Sequence, residues 1–531
     1  MANHYGRYKL LTSLVPTGNI DEDAQIIPII LEQVLPRHQE NVADMERSRD
    51  YYFNHTDILE KTKTTRADIN NKISKPICQI ACWRKNSYCF GKPFQFISAQ
   101  AEKQDLVQKF NSALKADGYK KHLNEYTLKS SWASLAYKYV DKPTKEDIAK
   151  GMYFKTVTDI DPTKAFCVYS DDITREKVLG VIFYDTKGFE RVNGNFVETT
   201  YTVYNVFTKW HRWRFKKDTA NNYSILPFSD IKIGNTLVSL RAFPYRFSLD
   251  KDNVVAEESV IPLIELERNT DRINDFELAI DLINAHNTII SCAVDKIQQN
   301  VDYVLKLKDI DIGEWDKDGK NPVYDTIQKY LEANILPIKS NEGATTQPDA
   351  SILDVPLDLS QVKDLLGYIK QEIYESLFIP TRGQGVGQDT GKAVERRNGF
   401  TELEDFAGIV VGCAEAAERE FVQIALQIAK TIDGCPFKEL NPTDIDIKDV
   451  RGNIEDLQEQ TQAFSTLVGA GTNRATAYEI TKLVADATDT AKLDEAYAKK
   501  LAEEEQKKNA NANNVIDTTD KVVENKESTG L

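Results

Sequence analysis

No run of about 18 apolar residues occurs anywhere in the 531 residues, so no membrane-spanning helix is expected. The first residues, MANHYGRYKLLTSLVPTGN, lack the continuous apolar core of a secretory signal. Cysteine pairs are missing too. The seven cysteines stand at 78, 82, 89, 167, 292, 413 and 435, an odd number with no C-x-x-C, which points to free thiols in a reducing interior. Cys78, Cys82 and Cys89 cluster, but at the spacing of one apolar helix face rather than of zinc ligands. Positive charge is in deficit: 67 Lys and Arg against 82 Asp and Glu leave a net −15. A protein that grips nucleic acid by neutralising phosphates needs a basic face. The deficit argues against that class, and leaves room for a protein past which DNA must slide.

Catalytic signatures are equally scarce. The six His, at 4, 38, 55, 122, 211 and 286, form no H-E-x-x-H or H-x-H pair, and no G-x-S-x-G occurs. Residues 381–397, TRGQGVGQDTGKAVERR, come nearest to a phosphate loop, which reads G-x-x-x-x-G-K-[ST]. Val386 stands where the first glycine belongs, and Ala393 follows Lys392 where a magnesium-binding hydroxyl is required. Gly383, Gly385 and Gly387 have no preceding strand to make a dinucleotide fingerprint. Asp444, Asp446 and Asp449 alternate with isoleucines and lack the EF-hand glycine, so they read as an edge strand or loop. No catalytic residue, metal or cofactor is expected.

What is present is a chain long enough for several cores, with the 41% hydrophobic and 28% charged residues of a globular protein. Apolar spacing predicts a helix over about 24–53 with Pro36 as a break. It predicts another ending at Gly91-Lys92-Pro93, and one over 103–140 interrupted near Gly118. The period then changes. KVLGVIFYDT, ETTYTVYNVFT and KWHRWRFKKD, with Asn193-Gly194 and Asn221-Asn222 as turn signals, predict an antiparallel meander over about 152–248. Residues 1–262 therefore read as a mixed α+β unit in a mostly helical chain.

Residues 263–299 contain neither Gly nor Pro and are expected as one helix, on the order of 55 Å long. Ile273, Phe276, Ile280, Ile283, Asn287, Ile290, Val294 and Ile297 alternate in steps of three and four, a heptad seam with one polar position. Leu278, Leu282, Ala285, Ile289 and Ala293 make a second stripe, and a helix apolar on two sides is packed between neighbours. His286 reads as a helix contact. Residues 300–356 mix a strand (VDYVLKLKDIDI), a short helix (NPVYDTIQKYLEAN) and an exposed turn (KSNEGATTQPDAS). A second helix over 357–380 starts near Asp358 and stops at Pro380. The glycine-rich stretch that follows combines mobility with the cations Arg382, Lys392, Arg396 and Arg397. A long helix over about 392–432 contains Gly399, Gly408 and Gly412, which suggest kinks or close helix contacts. Shorter helices are expected at 453–468, 473–486 and 491–508. Residues 509–531 have too little apolar surface to order.

RSRDYYFNHTDIL and INNKISKPICQIACWRKNSYCFGKPFQF carry a Tyr-Tyr before a His, an Asn-Asn-Lys-Ile, and an apolar helix ending in Gly-Lys-Pro. RFSLDKDNVVAEESVIPLIELERNTDRINDFELAIDLINAHN follows, and later LGYIKQEIYESLFIP before the glycines. In this order the chain resembles the portal proteins of tailed bacteriophages, in particular the family of long-tailed phages of Gram-positive hosts. The resemblance implies a homo-oligomeric ring of roughly twelve chains at one capsid vertex. Residues 1–262 would be the wing, 263–299 the first stem helix, 300–356 the clip and 357–380 the second stem helix. Residues 381–395 would be a tunnel loop. There and just beyond, Arg382, Gly383, Gly385, Gly387, Gly391, Lys392, Arg396 and Arg397 are the candidates to face DNA. Residues 396–452 would be a kinked helix and wing, 453–508 a helical crown and 509–531 a disordered tail. The implied role is non-enzymatic: a conduit for double-stranded DNA in packaging and ejection, and an initiator of capsid assembly. Its partners would be the large terminase subunit, a head-to-tail adaptor, and major capsid and scaffold proteins. It would reside in the virion after assembly in the host cytoplasm. Two other readings stay open: a coiled-coil interaction protein built on the 273–297 seam, and a divergent DNA-processing ATPase or nuclease.

Overall fold

The computed structural model describes residues 6–64, 67–192, 195–218, 221–233, 236–245, 247–250, 253–301, 305–308, 349–352, 359–380, 400–449 and 457–470, together with Thr326 and Lys329. The chain enters through a short strand, β1 (Leu10–Thr12), and a long helix, α1 (Ile20–Tyr52). Asn19 caps α1, its side chain accepting from the amides of Asp21 and Glu22, and three acids fill the first turn where the macrodipole favours them. The break expected at Pro36 does not occur: Pro28 and Pro36 both lie inside the continuous helix. Ile27, Ile30, Leu31 and Val34 are buried against the sheet. At about 1.5–3 kcal/mol for each fully buried side chain, that face outweighs the lost backbone hydrogen bonds.

Helix α2 (Ile77–Phe90) buries Cys78, Cys82 and Cys89 on one face, and all the cysteines are free. Strand β2 (Gln95–Ser98) leads to α3 (Gln104–Asp117). Gly118, at φ +80°, ends α3 and opens α4 (Tyr119–Ala133), as its position in the sequence predicts. The remainder of that predicted helix is a strand, β3 (Leu135–Asp141). LAYKYVD is buried over its first six positions, and a short apolar run covered on both faces cannot be told from a helix by periodicity.

The meander is antiparallel as expected. β4 (Lys155–Val157) pairs with β3, and then β5 (Ala165–Ser170), β6 (Lys177–Val192), β7 (Asn195–Phe207) and β8 (His211–Lys217) follow in order. β1 joins the β5 edge in parallel, Leu10 opposite Val168. One sheet face, including Phe166, Leu179, Val206 and Trp213, packs on α1.

The helix expected over 263–299 forms only in its second half. Leu263–Glu267 is a strand, β9, antiparallel to β3 with Leu263 opposite Tyr139. Helix α5 (Ile280–Val301) begins after the single 3-10 turn Glu277–Ala279. Between them, Asn269, Asp271 and Asn274 offer local side-chain hydrogen bonds that compete with a helix. Asn274 Oδ1 takes the Phe276 amide at 2.9 Å, and Arg272 stands at φ +56°. Absence of Gly and Pro was therefore no guarantee of helix.

Strands 305–308 and 349–352 pair antiparallel, drawing together the two ends of the insertion. The helix and exposed turn predicted within it fall almost wholly outside the described residues. Helix α6 (Leu359–Ser376) is the second helix, and α7 (Phe400–Lys430) is the long helix after the glycines. Gly399 lies outside the described residues. Among the described residues no heavy atom comes within 4 Å of a Cβ placed at Gly408 or Gly412, so neither glycine serves a close contact there. Strand β10 (Ile445–Lys448) pairs with β2 and alternates buried isoleucines with exposed Asp446 and Lys448. Of the predicted C-terminal helices, α8 (Leu457–Gly469) is described, while 473–486, 491–508 and the tail lie outside.

Where β9 crosses β6, Gly180 permits the approach: a Cβ there would stand 2.8 Å from Leu263 Cβ. Gly180→Val is expected to lower stability by about 1–3 kcal/mol, measurable by thermal denaturation.

Candidate functional site

The site with most structure behind it is the hairpin of α5 and α6 and the chain segments that fix it. Its inner surface is apolar. Ile280 and Ile283 of α5 share a core with Ile369, Ile373 and Leu377 near α6. The heptad seam read from the sequence faces this core. Phe276, Ile280, Ile283 and Asn287 are buried, Ile273, Ile290 and Val294 are half-buried, and Ile297 is exposed. The first half of the seam is thus satisfied within the chain.

A second face of α5 is polar. Asn287, Ser291 and Asp295 are four residues apart, hence on one side of the helix, and all three are buried. The segment Asn71–Lys75 runs antiparallel along them as a strap. Asn71 N donates to Asp295 Oδ1 at 2.7 Å, Ile73 N to Ser291 Oγ at 3.0 Å and Lys75 N to Asn287 Oδ1 at 3.4 Å. Lys61 and Lys63 close on the Asp295 carboxylate at 2.8 and 3.5 Å. Burial works to raise the pKa of Asp295, but the Lys61 ammonium and the Asn71 donors prevail and hold it well below the usual carboxylate range. The strap is the Asn-Asn-Lys-Ile stretch noted in the sequence. Its function as a helix clamp was missed there. The signal was available in three polar residues spaced by four along the helix. His286 is buried beside the ladder, and burial lowers its pKa.

A charged hub joins the hairpin to the N-terminal mixed unit. Arg268, just past β9, makes two 2.7 Å hydrogen bonds to the Asp275 carboxylate, and neither side chain is exposed. The Asp275 amide donates to Ser131 O and the Arg268 amide to Ser134 O, both at the end of α4. Lys85 of α2 donates to Asp275 O at 2.9 Å, and burial pushes its pKa down. Its ammonium lies 4.1 Å from the centre of the Phe406 ring of α7. Phe378, at φ +53° just beyond α6, stacks on the same ring at 5.7 Å. The exit of α6 and the start of α7 are thereby pinned together. Farther along α7, Glu418 is buried and paired with Lys138 of β3 at 2.6 Å.

The segment between these pinned ends is the glycine-rich stretch. Arg382, Gly383, Gly385, Gly387, Gly391, Lys392, Arg396 and Arg397 all lie outside the described residues.

Comparison with known proteins decides the family. A family model described as phage portal protein, SPP1 Gp6-like, matches residues 31–511. The chain belongs to that family. As a portal protein it is a component of the virion capsid, a ring oligomer connecting the capsid to the tail, and structural rather than enzymatic in kind. Among curated proteins no sequence matches this chain. Among solved structures, a chain from "Neck of empty GTA particle computed with C6 symmetry" overlays with a TM-score of 0.35 and 10% identity. That overlay covers 77% of this portal chain and 90% of the other; a likeness so loose carries no argument.

Two outcomes follow from the geometry. Arg268→Met leaves the Asp275 carboxylate buried without its counter-ion and is expected to cost about 3–5 kcal/mol in urea denaturation. Asp295→Asn is expected to cost about 1–3 kcal/mol and to speed amide exchange at Asn71 and Ile73. Because the Asp295 pKa is depressed in the fold, its contribution is complete above the unfolded value of about 4 and is lost as pH falls toward the folded one. The gap between wild type and Asp295→Asn should therefore stay constant from neutral pH to about 5 and close in stronger acid.

Proposed function

We propose that the chain is one subunit of a portal ring of roughly twelve copies at one capsid vertex, through which double-stranded DNA is packaged and ejected. The observation that carries this reading is the family match over 31–511, laid on a hairpin of two helices that brackets a small insertion with paired ends. In this reading α5 and α6 are the stem and 300–356 is the clip, docking the large terminase subunit and then the head-to-tail adaptor. Residues 1–262 and 396–452 form the wing and 453–508 the crown, where scaffold and major capsid proteins meet the ring during assembly. ATP hydrolysis belongs to the terminase, since the stretch around Lys392 lacks the first glycine and the hydroxyl of a P-loop.

The net charge of −15 supports a conduit rather than a clamp: many phosphate contacts would bind DNA tightly and in a salt-dependent way. The tunnel loop 381–395, with Arg382 and Lys392 and the adjoining Arg396 and Arg397, supplies a few cations for transient contact with the DNA backbone. The coiled-coil alternative loses its main support, because Phe276, Ile280 and Ile283 are already buried in the chain's own core.

Mass photometry with negative-stain imaging of the purified chain tests the ring; closed rings with a central hole are expected. Lys392→Ala with Arg396→Ala should leave ring formation intact while changing packaged or retained DNA several-fold in a packaging assay. Unaltered packaging and retention would remove the loop from the reading.

A further inference from the structure

The stem helices keep two apolar or small rows that are largely uncovered among the described residues, with Lys61 reaching one of them at Cys292 Sγ, 3.8 Å away. On α5 the core row and the strap ladder occupy two sides. The third side carries Leu278, Asp281, Ala285, Thr288 and Cys292, spaced three and four apart. Leu278 is 66% exposed, Asp281, Thr288 and Cys292 are exposed, and Ala285 is half-exposed. Beyond its first residue this row is made of small side chains, so it forms a shallow channel along the helix. On α6 the buried row includes Ile369 and Ile373. One turn before Ile369 on the same line, Leu365 is 47% exposed, and Tyr368 beside it is 61% exposed. These two large side chains project at the uncovered end of α6.

Single exposed apolar residues need no explanation. A row of projecting side chains on one helix and a row of small ones on its hairpin partner do. Pairing either row with itself, as a two-fold dimer would, sets large against large or small against small. Pairing one with the other fits projection to channel, and it uses two different patches of the same chain. Such head-to-tail contacts generate rings.

We propose that the small row of α5 in one copy receives Leu365 and Tyr368 of α6 from the next copy, so that adjacent stem hairpins form a continuous wall. The inference rests on the ring reading and names the contact that closes it. It also divides the two stripes read from the sequence: the row of Phe276, Ile280 and Ile283 faces the chain's own core, and the neighbour's place is on the side of Leu278 and Ala285, two members of the second stripe.

The test uses the full-length chain. Cys292 on α5 and Leu365 on α6 each lie about two turns from the ends at which their helices meet the insertion. In a Cys413→Ser background, Leu365→Cys treated with a short bis-maleimide is expected to give a ladder of covalent multimers up to ring size on a denaturing gel. The same background without Leu365→Cys should stay monomeric on the gel. Ala285→Trp fills the channel and Tyr368→Asp removes the projection. Each should keep the wild-type melting temperature within a few degrees and lower the ring fraction in mass photometry on the order of tenfold, a change of about 1.4 kcal/mol. Rings that persist in both variants, with no ladder from the cysteine pair, would overturn this contact while leaving the ring itself standing. A wild-type chain that forms no ring, even when co-expressed with capsid and scaffold proteins, would instead overturn the ring reading and the contact with it.

Discussion

The buried pair of Arg268 and Asp275 is the constraint on which the architecture turns. A guanidinium and a carboxylate withdrawn from water are costly unless every remaining donor and acceptor finds a partner. Here the two side chains satisfy one another through two hydrogen bonds, and the guanidinium carbon lies 5.7 Å from the centre of the Phe406 ring. The backbones of the same two residues are tied from outside, their amides donating to Ser134 O and Ser131 O at the end of α4 and the Lys85 ammonium of α2 donating to Asp275 O. The ion pair and these backbone bonds together hold β9, the entry to α5, α2 and α4 in one relation. Lys85 then extends the arrangement to α7 and the exit of α6 through the Phe406 and Phe378 rings. The foot of the hairpin is thus set by electrostatics that tolerate little displacement, while its inner face is held by apolar packing.

That division suits a portal subunit. Apolar surfaces slide and repack at modest cost, whereas an incompletely satisfied buried charge does not. A helix hairpin anchored by charge at its base and by the strap along its side keeps its place relative to the N-terminal unit. The described chain leaves the anchored base at Pro380 and rejoins it at Phe400, the residues on either side of the glycine-rich stretch.

Much of the fold was legible in the sequence because it is written in local signals. Gly118 marked a helix boundary, the alternation at Ile445 and Ile447 marked an edge strand or loop, and the aromatic and β-branched runs marked the meander. What failed did so for tertiary reasons. Pro36 reads as a breaker until the face packed on the sheet is counted. Leu135–Asp141 and Leu263–Glu267 read as helix until each is seen to be the other's partner, a pairing between residues more than a hundred positions apart. The candidate site divides in the same way. The seam of α5 was visible, but which side of it would meet a neighbour depended on where α6 lay. The strap was visible only as a run of polar residues, because a ladder between an irregular segment and a helix has no period of its own.

That ladder has a built-in length. Two residues of extended chain advance about 6.6 Å and four residues of helix about 6.0 Å, so each rung adds a mismatch of about 0.6 Å. The rungs run 2.7, 3.0 and 3.4 Å from Asn71 to Lys75, lengthening in step with that drift. The two scales behave as a vernier: they coincide at Asp295 and part company a few turns away. A fourth rung would fall at Ile77 opposite Ile283, which offers no acceptor, and the Ile77 amide donates to Lys75 O at 2.8 Å instead, where α2 begins. The N-terminal segment therefore turns away from the hairpin where α5 runs out of polar side chains on that side, at a rung the drift has already stretched, and any lengthening of the strap would have to loop out rather than extend the clamp.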